Sequence, residues 1–524
     1  DCWQSPLQMR GMTLQCEGFS DTLPQYITST LHAIRELKPE QVAFATQLEQ
    51  LQRDYQDAAQ GGSGASGLAY AYSDRMMYRI AFLPEQLEQA SLHIEIEDVA
   101  TFADAAFSEA SGTALALGNI NRTTAASIAS TTLEVMRAQS QNGGTSQKAA
   151  ALAAAATEGT MTQAVAKLEG RWKMHALTHP NKDETNCAVL MTVQLGLLDR
   201  QHAAVAIVLG DIVSQPFFAH LRTEQQLGYL VRGGLAEARG VYSLSLVVQS
   251  SVATPSHVTN SMHEFLNATM SQILADMEQS EFDDYVGSAQ QRLLQKPKSL
   301  SEEGGMLWAR VADGSLDFHR QQELAKLLSN GTVTLDAVRA MHQRTLQRPS
   351  AAAVSAAVSA AATAATESAA VSGAYEAVAA TAMDSASAGA GRMLVWVLPQ
   401  KGPASAKEPT AESAPAGYEL VEDVDELRKS ATYYPKATYA TYGRAELDMM
   451  AERLATLRPE SVVDLHAVSK PKRRLPPQPC KNCAQPPREP CLKMCGQACC
   501  AAPEGRGTHA RREAALKQGY RHSS

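Results

Sequence analysis

The sequence predicts an α+β fold built from two related domains, each a mostly antiparallel sheet covered by helices. Apolar residues recur every three or four positions in several long stretches, which is typical of helices packed on a core. Other stretches are short and either alternate apolar with polar residues or are continuously apolar, which is typical of strands. The order of strand, long helix, strands and helices occurs twice along the 524 residues, and this repetition favours a duplicated domain.

The first domain is predicted to span residues 1–165. Residues 5–20 alternate loosely and predict a strand that breaks at a glycine. A second strand is expected at 113–117, and the glycine-rich segment 61–67 is expected to be a flexible insertion between helices. An Ala/Ser-rich insertion is expected from 140 to about 160. The predicted helices of this domain cover residues 22–37, 39–58, 69–82, 97–109 and 123–139.

The second domain is predicted to span residues 166–435 and carries an almost wholly apolar helix at 203–219. Ser280 and Asp283 have the spacing of a capping box and are expected to begin a helix. An Ala/Ser-rich tract at 350–390 lacks the large side chains that anchor a helix to a core, so a surface insertion is expected. The other predicted elements are strands within 170–195, from 229, at 241–249 and at 393–398, and helices at 258–277, 280–294, 301–314 and 333–346.

Composition argues against two classes of partner. The net charge is −8 with a pI of about 5.9, which argues against nucleic acid. No run approaches the ~20 strongly apolar residues of a membrane span, so no membrane partner is expected. Cys2, Cys16 and Cys187 lack the spacing of a disulfide framework, which favours a reducing compartment. A cytoplasmic location is therefore expected, with an organelle left open because no targeting segment is readable after Asp1.

Residues 436–524 form a basic, cysteine-rich tail that is expected to be disordered. Cys480, Cys483, Cys491 and Cys495 lie in two close pairs, and four thiolates can hold a structural zinc ion in tetrahedral geometry. The gap between the pairs is shorter than the common spacings of zinc sites, and no hydrophobic pattern surrounds them. The alternative is an unfolded tail whose cysteines bind nothing.

The stretch LRTEQQLGYLV joins the apolar helix to an extended segment. Gly228 is expected to end the helix in the left-handed conformation. Arg222 and Tyr229 then lie on either side of a helix-to-strand junction. A guanidinium offers a rigid fork of donors to carboxylates or carbonyls, and a phenol can donate to a developing oxyanion, so the pair suits substrate binding. The alternative is a surface salt bridge beside an ordinary strand tyrosine.

This stretch resembles the segment by which the C-terminal halves of insulysin, nardilysin and pitrilysin, the inverted-motif zinc peptidases, are recognised. The resemblance covers roughly residues 5–435 in order. It implies one half of a clamshell-shaped zinc metalloendopeptidase, without separating insulysin from nardilysin. The further similar segments are LGNI at 117–120, SQPFF at 214–218, VVQS at 247–250, KPKSLS at 296–301 and LVEDVDELRKSATYY at 420–434.

The zinc site of that family is the motif His-x-x-Glu-His with a further glutamate, and none of the 13 histidines in this chain begins it. The nearest arrangement runs from His175 to His179, with Thr178 where the glutamate would stand. In a strand, positions four apart lie ~13 Å from each other, too far to share one zinc ion. No metal ligand is therefore expected in the two domains. The resemblance implies that the zinc belongs to an N-terminal half, on this chain or another, and that this chain alone is inactive.

The resemblance also implies roles for named residues. Tyr229 would hydrogen-bond the scissile carbonyl of a peptide substrate enclosed in a chamber, and Arg222 would either orient the substrate backbone or hold Tyr229 in place. Lys296, Lys298 and Ser299 are similar to a segment that binds nucleotide phosphates or other polyanions, and the alternative is a solvated helix connection. A second class of function, a non-catalytic scaffold or regulatory subunit of the same superfamily, stays open.

Overall fold

The computed structural model describes residues 2–6, 12–36, 38–108, 113–137, 163–169, 172–347, 391–404, 414–415 and 417–435. The two Ala/Ser-rich insertions and the tail with its four paired cysteines lie outside these residues. Within them the chain is a mixed α+β fold, as the sequence predicts. The domain boundary near residue 165 stays a prediction.

The N-terminal region combines a short ribbon with a group of helices. Strands β1 (Cys2–Pro6) and β2 (Met12–Cys16) pair in antiparallel fashion. One helix that the sequence did not predict begins with a proline in its first turn, where the missing N–H costs nothing. The helices are α1 (Leu23–Glu36), α2 (Gln41–Ala59), α3 (Gly64–Met77), α4 (Pro84–Ser91), α5 (Ile96–Ser108) and α6 (Arg122–Arg137).

A six-stranded sheet forms the centre of the C-terminal region. Its strands are β3 (Trp172–Thr178), β4 (Cys187–Leu197), β5 (Leu230–Ala238), β6 (Val241–Ser250), β7 (Gly391–Leu398) and β8 (Tyr418–Leu420). They lie in the order β5-β6-β4-β7-β3-β8. The pairs from β5 to β7 are antiparallel, whereas β3 runs parallel to both β7 and β8. Among the described strands, β5 therefore lies at one edge of the sheet.

Helices cover this sheet and surround its core. Two π-helical turns, Ala219–Glu224 and Phe265–Thr269, continue the helices that precede them. The helices are α7 (Arg200–Phe218), α8 (Pro255–Glu264), α9 (Met270–Asp276), α10 (Gln279–Leu293), α11 (Leu300–Ala312), α12 (Arg320–Ser329), α13 (Leu335–Thr345) and α14 (Val424–Ser430).

Strand β4 is buried on both faces of the sheet. Val189, Met191 and Val193 pack in the cluster that contains α7, whereas Ala188 and Leu190 pack in the cluster that contains α3. This double burial explains why the strand is a continuous apolar run in the sequence. It also means that a helix from the N-terminal region closes one face of the sheet.

The segment Arg200–Glu224, α7 with its π-helical turn, is long and apolar enough to cross a membrane by length and composition. In the part of the chain described here it is the one helix that passes this test, and 61% of its apolar window is buried inside the fold. The apolar composition of α7 is therefore explained by its packing against the sheet.

Several local predictions were wrong. Residues 5–20 do not form one strand, because their described parts belong to two paired strands, β1 and β2. The glycine-rich segment is not an insertion, because α3 begins at Gly64 and Ala65 is fully buried against the sheet. Residues 113–117 form no strand and instead approach α11. The helix predicted to begin at Ser280 starts one residue earlier, because Glu278 is its N-cap and the capping box does not form.

Candidate functional site

Helix α7 provides a fixed support for the junction. Its first turn is capped by Asp199, whose carboxylate accepts a hydrogen bond from the backbone N–H of His202 at 2.8 Å. Further along, a Cβ added at Gly210 would lie only 2.7 Å from the side chain of Leu235 on β5. Glycine therefore allows the helix and the strand to approach closely. The middle of α7 is thus packed closely against the middle of β5.

The end of α7 widens into a π-helical turn, Ala219–Glu224. The backbone N–H of Gln225 donates to the carbonyl of His220 at 3.0 Å, which is the i to i+5 bond of a π-helix. The N–H of Leu227 then donates to the carbonyl of Leu221 at 3.0 Å. The chain reverses at Gln226, which has a φ of +53°.

Gly228 does not have the role that the sequence predicted. Its φ is not positive, and the left-handed residue of the turn is Gln226 instead. A Cβ at Gly228 would lie 2.0 Å from the carbonyl oxygen of Gln249 on β6. The glycine is therefore required because two backbones approach each other, and a helix cap cannot account for it.

Arg222 hydrogen-bonds the backbone beside Tyr229. Its Nη1 donates to the carbonyl oxygen of Gly228 at 3.2 Å and also to that of Tyr229. The guanidinium carbon lies 4.6 Å from the centre of the Tyr229 ring and 5.5 Å from that of Phe218. The cation is thus held between two aromatic rings while it binds the main chain.

Tyr229 projects from a well-anchored backbone. Its neighbours Leu227 and Val231 are each only 3% exposed, whereas Tyr229 is 88% exposed. The phenol is therefore presented to the outside at the edge of the sheet, beside the guanidinium. The structure brings Arg222 and Tyr229 together, as the sequence predicts.

The two histidines whose spacing resembles a zinc motif, His175 and His179, make structural hydrogen bonds. His175 lies in β3, donates from Nδ1 to the carbonyl of Val421 at 2.8 Å, and stacks on Tyr72 with 5.0 Å between ring centres. His179 accepts a hydrogen bond from the backbone N–H of Asn181 at 3.1 Å. Burial lowers the pKa of both histidines. Across the described ranges, no group of three or more His, Cys, Asp or Glu side chains could hold a metal ion.

The predicted anion site lies at the start of α11. Lys296, Lys298 and Ser299 are all exposed. The hydroxyl of Ser299 accepts from the backbone N–H of Glu302 at 3.1 Å, and the carboxylate of Glu302 accepts from the N–H of Lys298 at 2.6 Å. Ser299 and Glu302 therefore form a capping pair, and this pair already occupies two of the donors that an anion would use.

Sequence reasoning missed two parts of this site. Phe218 is 41% exposed and packs on the guanidinium of Arg222. Its spacing of four residues before the arginine, one helical turn away, was the signal that could have identified it. The π-helical turn could not be identified from the sequence, because the residues of Ala219–Glu224 are equally suited to an ordinary α-helix.

Comparisons with known proteins agree on one family. The family model described as "PQQ synthase PqqF-like, C-terminal lobe domain 4" matches residues 208–308, a range that includes the junction from Arg222 to Tyr229. The Schizosaccharomyces pombe protein mug138 is 24% identical over 331 residues, and human insulin-degrading enzyme is 30% identical over 140 residues. This chain is therefore similar to the C-terminal part of the insulysin-like peptidases.

The insulysin-like relatives are much longer than the region they share with this chain. The match to mug138 covers 62% of this chain and 32% of that protein, and the match to the human enzyme covers 27% and 14%. The chain therefore spans a minor part of the length of these relatives. The crystal structure of pitrilysin is 16% identical with a TM-score of 0.62, and the likeness covers 83% of this chain and 39% of pitrilysin. That likeness shows that the chain shares the fold of the matching part of pitrilysin.

Proposed function

We propose that this chain is the metal-free half of a metalloendopeptidase that degrades peptides enclosed between two halves. In this proposal Tyr229 donates a hydrogen bond to the oxygen of the scissile carbonyl as negative charge develops there. The observation that supports the proposal is the junction itself. Tyr229 is 88% exposed there, and Arg222 hydrogen-bonds the backbone beside it. Removing one such donor from an enzyme typically lowers kcat by ~100- to 1000-fold.

The contacts of Arg222 support one of its two predicted roles. Its guanidinium binds the carbonyl of Gly228 at 3.2 Å and lies between the rings of Phe218 and Tyr229. Both hydrogen bonds come from Nη1 and go to the main chain at Gly228 and at Tyr229 itself. We therefore assign Arg222 to holding Tyr229 in place, and the N–H donors on Nε and Nη2 leave the other role, orienting the substrate backbone, open.

Zinc does not fit the described residues, which contain no metal-binding group of three side chains. We assign the zinc of the proposed peptidase to an N-terminal half, carried on the same chain or another. What this half supplies is a hydrogen-bond donor and a wall against which the peptide lies. The chain alone is expected to hydrolyse nothing.

We also propose a substrate class, a location and a second ligand. Peptides are the proposed substrates, and the cytoplasm is the proposed location. Lys296 and Lys298 are proposed to attract a nucleotide or another polyanion, since both ammonium groups are exposed beside a helix start.

The test uses the chain together with its own metal-bearing half. The chain is co-expressed with a polypeptide of the same source that carries His-x-x-Glu-His, and the pair is assayed on a quenched fluorescent peptide. Tyr229→Phe is expected to lower kcat by ~100-fold or more with a small change in KM, because only the transition-state hydrogen bond is lost.

The matched control is Tyr26→Phe, which removes the hydroxyl of another exposed tyrosine, on α1. This variant is expected to keep the parent kcat. Unchanged turnover in Tyr229→Phe would refute the catalytic role and favour the scaffold alternative.

A further inference from the structure

The π-helical turn places the ring of His220 between two residues. Its Nδ1 lies 2.8 Å from Oε2 of Glu224, and its Nε2 lies 2.9 Å from Nε2 of Gln225. On an α-helix of 3.6 residues per turn, the residue four positions on faces the histidine, but the residue five positions on points away. Because the turn is wider here, one imidazole reaches both.

The directions of these two bonds follow from the groups involved. The amide nitrogen of Gln225 is a donor, so Nε2 of His220 accepts. Nδ1 carries a proton and donates it to the carboxylate of Glu224, which can only accept. The ring also packs on the fully buried Phe265, with 6.0 Å between centres. Both nitrogens and one face of the ring are therefore engaged inside this chain.

His220 and Arg222 bind the two sides of the same reversal. The imidazole and the backbone carbonyl of His220 both hold Gln225, immediately before the left-handed residue Gln226. Arg222 binds the carbonyl of Gly228, two residues after it. The backbone from Gln225 to Gly228, which leads to Tyr229, is thus hydrogen-bonded at both ends.

We infer that His220 is a positioning residue that fixes the reversal presenting Tyr229. The inference rests on the proposed function and adds a residue to the same site. His220 acts through Gln225 and does not touch the reacting atoms, because its two ring nitrogens are already bound. Loss of the imidazole leaves Gln225 held only by its backbone bond to the carbonyl of His220 and lets the phenol shift. A displacement of ~1 Å can cost up to ~100-fold in rate.

The first test is made on the full chain alone. 3-Fluorotyrosine is placed at position 229, and its fluorine resonance is recorded. His220→Ala is expected to shift or broaden this resonance, and His220→Asn, which keeps a short amide donor near Glu224, is expected to restore part of it. The matched control is His202→Ala, which removes a similar histidine–carboxylate contact of 2.9 Å from the other end of α7. It should leave the resonance unchanged.

Identical spectra for the parent and for His220→Ala would overturn the inference. Circular dichroism establishes that each variant is folded. If His220→Ala fails to fold, it is replaced by His220→Leu, which keeps apolar bulk beside Phe265 but makes neither hydrogen bond. An unshifted, unbroadened resonance in that variant overturns the inference in the same way.

The second test uses the active pair of halves. His220→Ala is expected to lower kcat about tenfold with KM within about twofold. In a Tyr229→Phe background the same change should cost less than about twofold, because the group it positions is gone. Independent, multiplying effects would overturn the inference while the proposed function stands. Should Tyr229→Phe itself change nothing, the proposed function fails, and the fluorine spectrum still decides whether His220 fixes the turn.

Discussion

Gly228→Ala tests whether the close approach of two backbones sets the position of the junction. The added Cβ would lie 2.0 Å from the carbonyl oxygen of Gln249 and 3.3 Å from Cα of Ser250. Ordinary van der Waals contact begins near 3.4 Å, so the start of β5 must move away from β6 by roughly 1 Å. Overpacking of this kind costs about 1–3 kcal/mol, and we expect about 3 kcal/mol because both partners are main chain.

The control for this variant lies in β5, the strand that follows Gly228. Gly234→Ala adds a Cβ that meets nothing within 4 Å, and its effect on the free energy of unfolding is expected to stay within about 0.5 kcal/mol. Urea unfolding of the full chain, followed by circular dichroism, measures both. With a slope of about 1–3 kcal/mol per molar urea, the midpoint of Gly228→Ala should fall by about 1 M or more. Equal midpoints for the two variants would refute the steric argument.

Two further predictions concern buried groups away from the junction. Burial and the nearby Arg392 lower the pKa of His342 below 6.5, so the unfolded chain binds a proton more tightly than the folded chain does. The urea midpoint of unfolding should therefore fall as the pH drops below 6.5. A decrease of the same size in His342→Gln would contradict this. Burial raises the pKa of the Cys187 thiol to about 12, so Cys187 should resist alkylation at pH 8 until the chain unfolds. Mass spectrometry of the peptide that contains Cys187 measures the extent of labelling. Rapid labelling of the folded chain would contradict this prediction.

Periodicity predicted the elements whose neighbours are local or simply apolar. Helix α7 and strand β6 were found because their apolar residues follow the helical and strand repeats over many positions. The fit of Gly228 could not be predicted, since it depends on Gln249 from another strand. The start of α3 was missed for a related reason. Its small residues suit a loop by composition, and only the sheet that they pack against makes a helix favourable there.

The junction shows the same division between local and distant causes. The residue types of Arg222 and Tyr229 suggested a cation beside a phenol, and the structure has them in contact. The widening of the helix into a π-helical turn was not predictable, because it depends on how the end of α7 meets the strand that follows. It is this widening that brings His220 to both Glu224 and Gln225.

The two faces of β4 are covered by helices from distant parts of the chain, and this has a consequence during synthesis. Helix α3 ends at Met77 and β4 begins at Cys187, so about 110 residues must be translated between them. At ~5–20 residues per second the delay is ~5–20 s. During that time Leu68 and Met76 have no sheet to pack against. The apolar face of α3 is therefore exposed on the nascent chain before the sheet is made. A chaperone that shields this face is expected to raise the yield of folded chain.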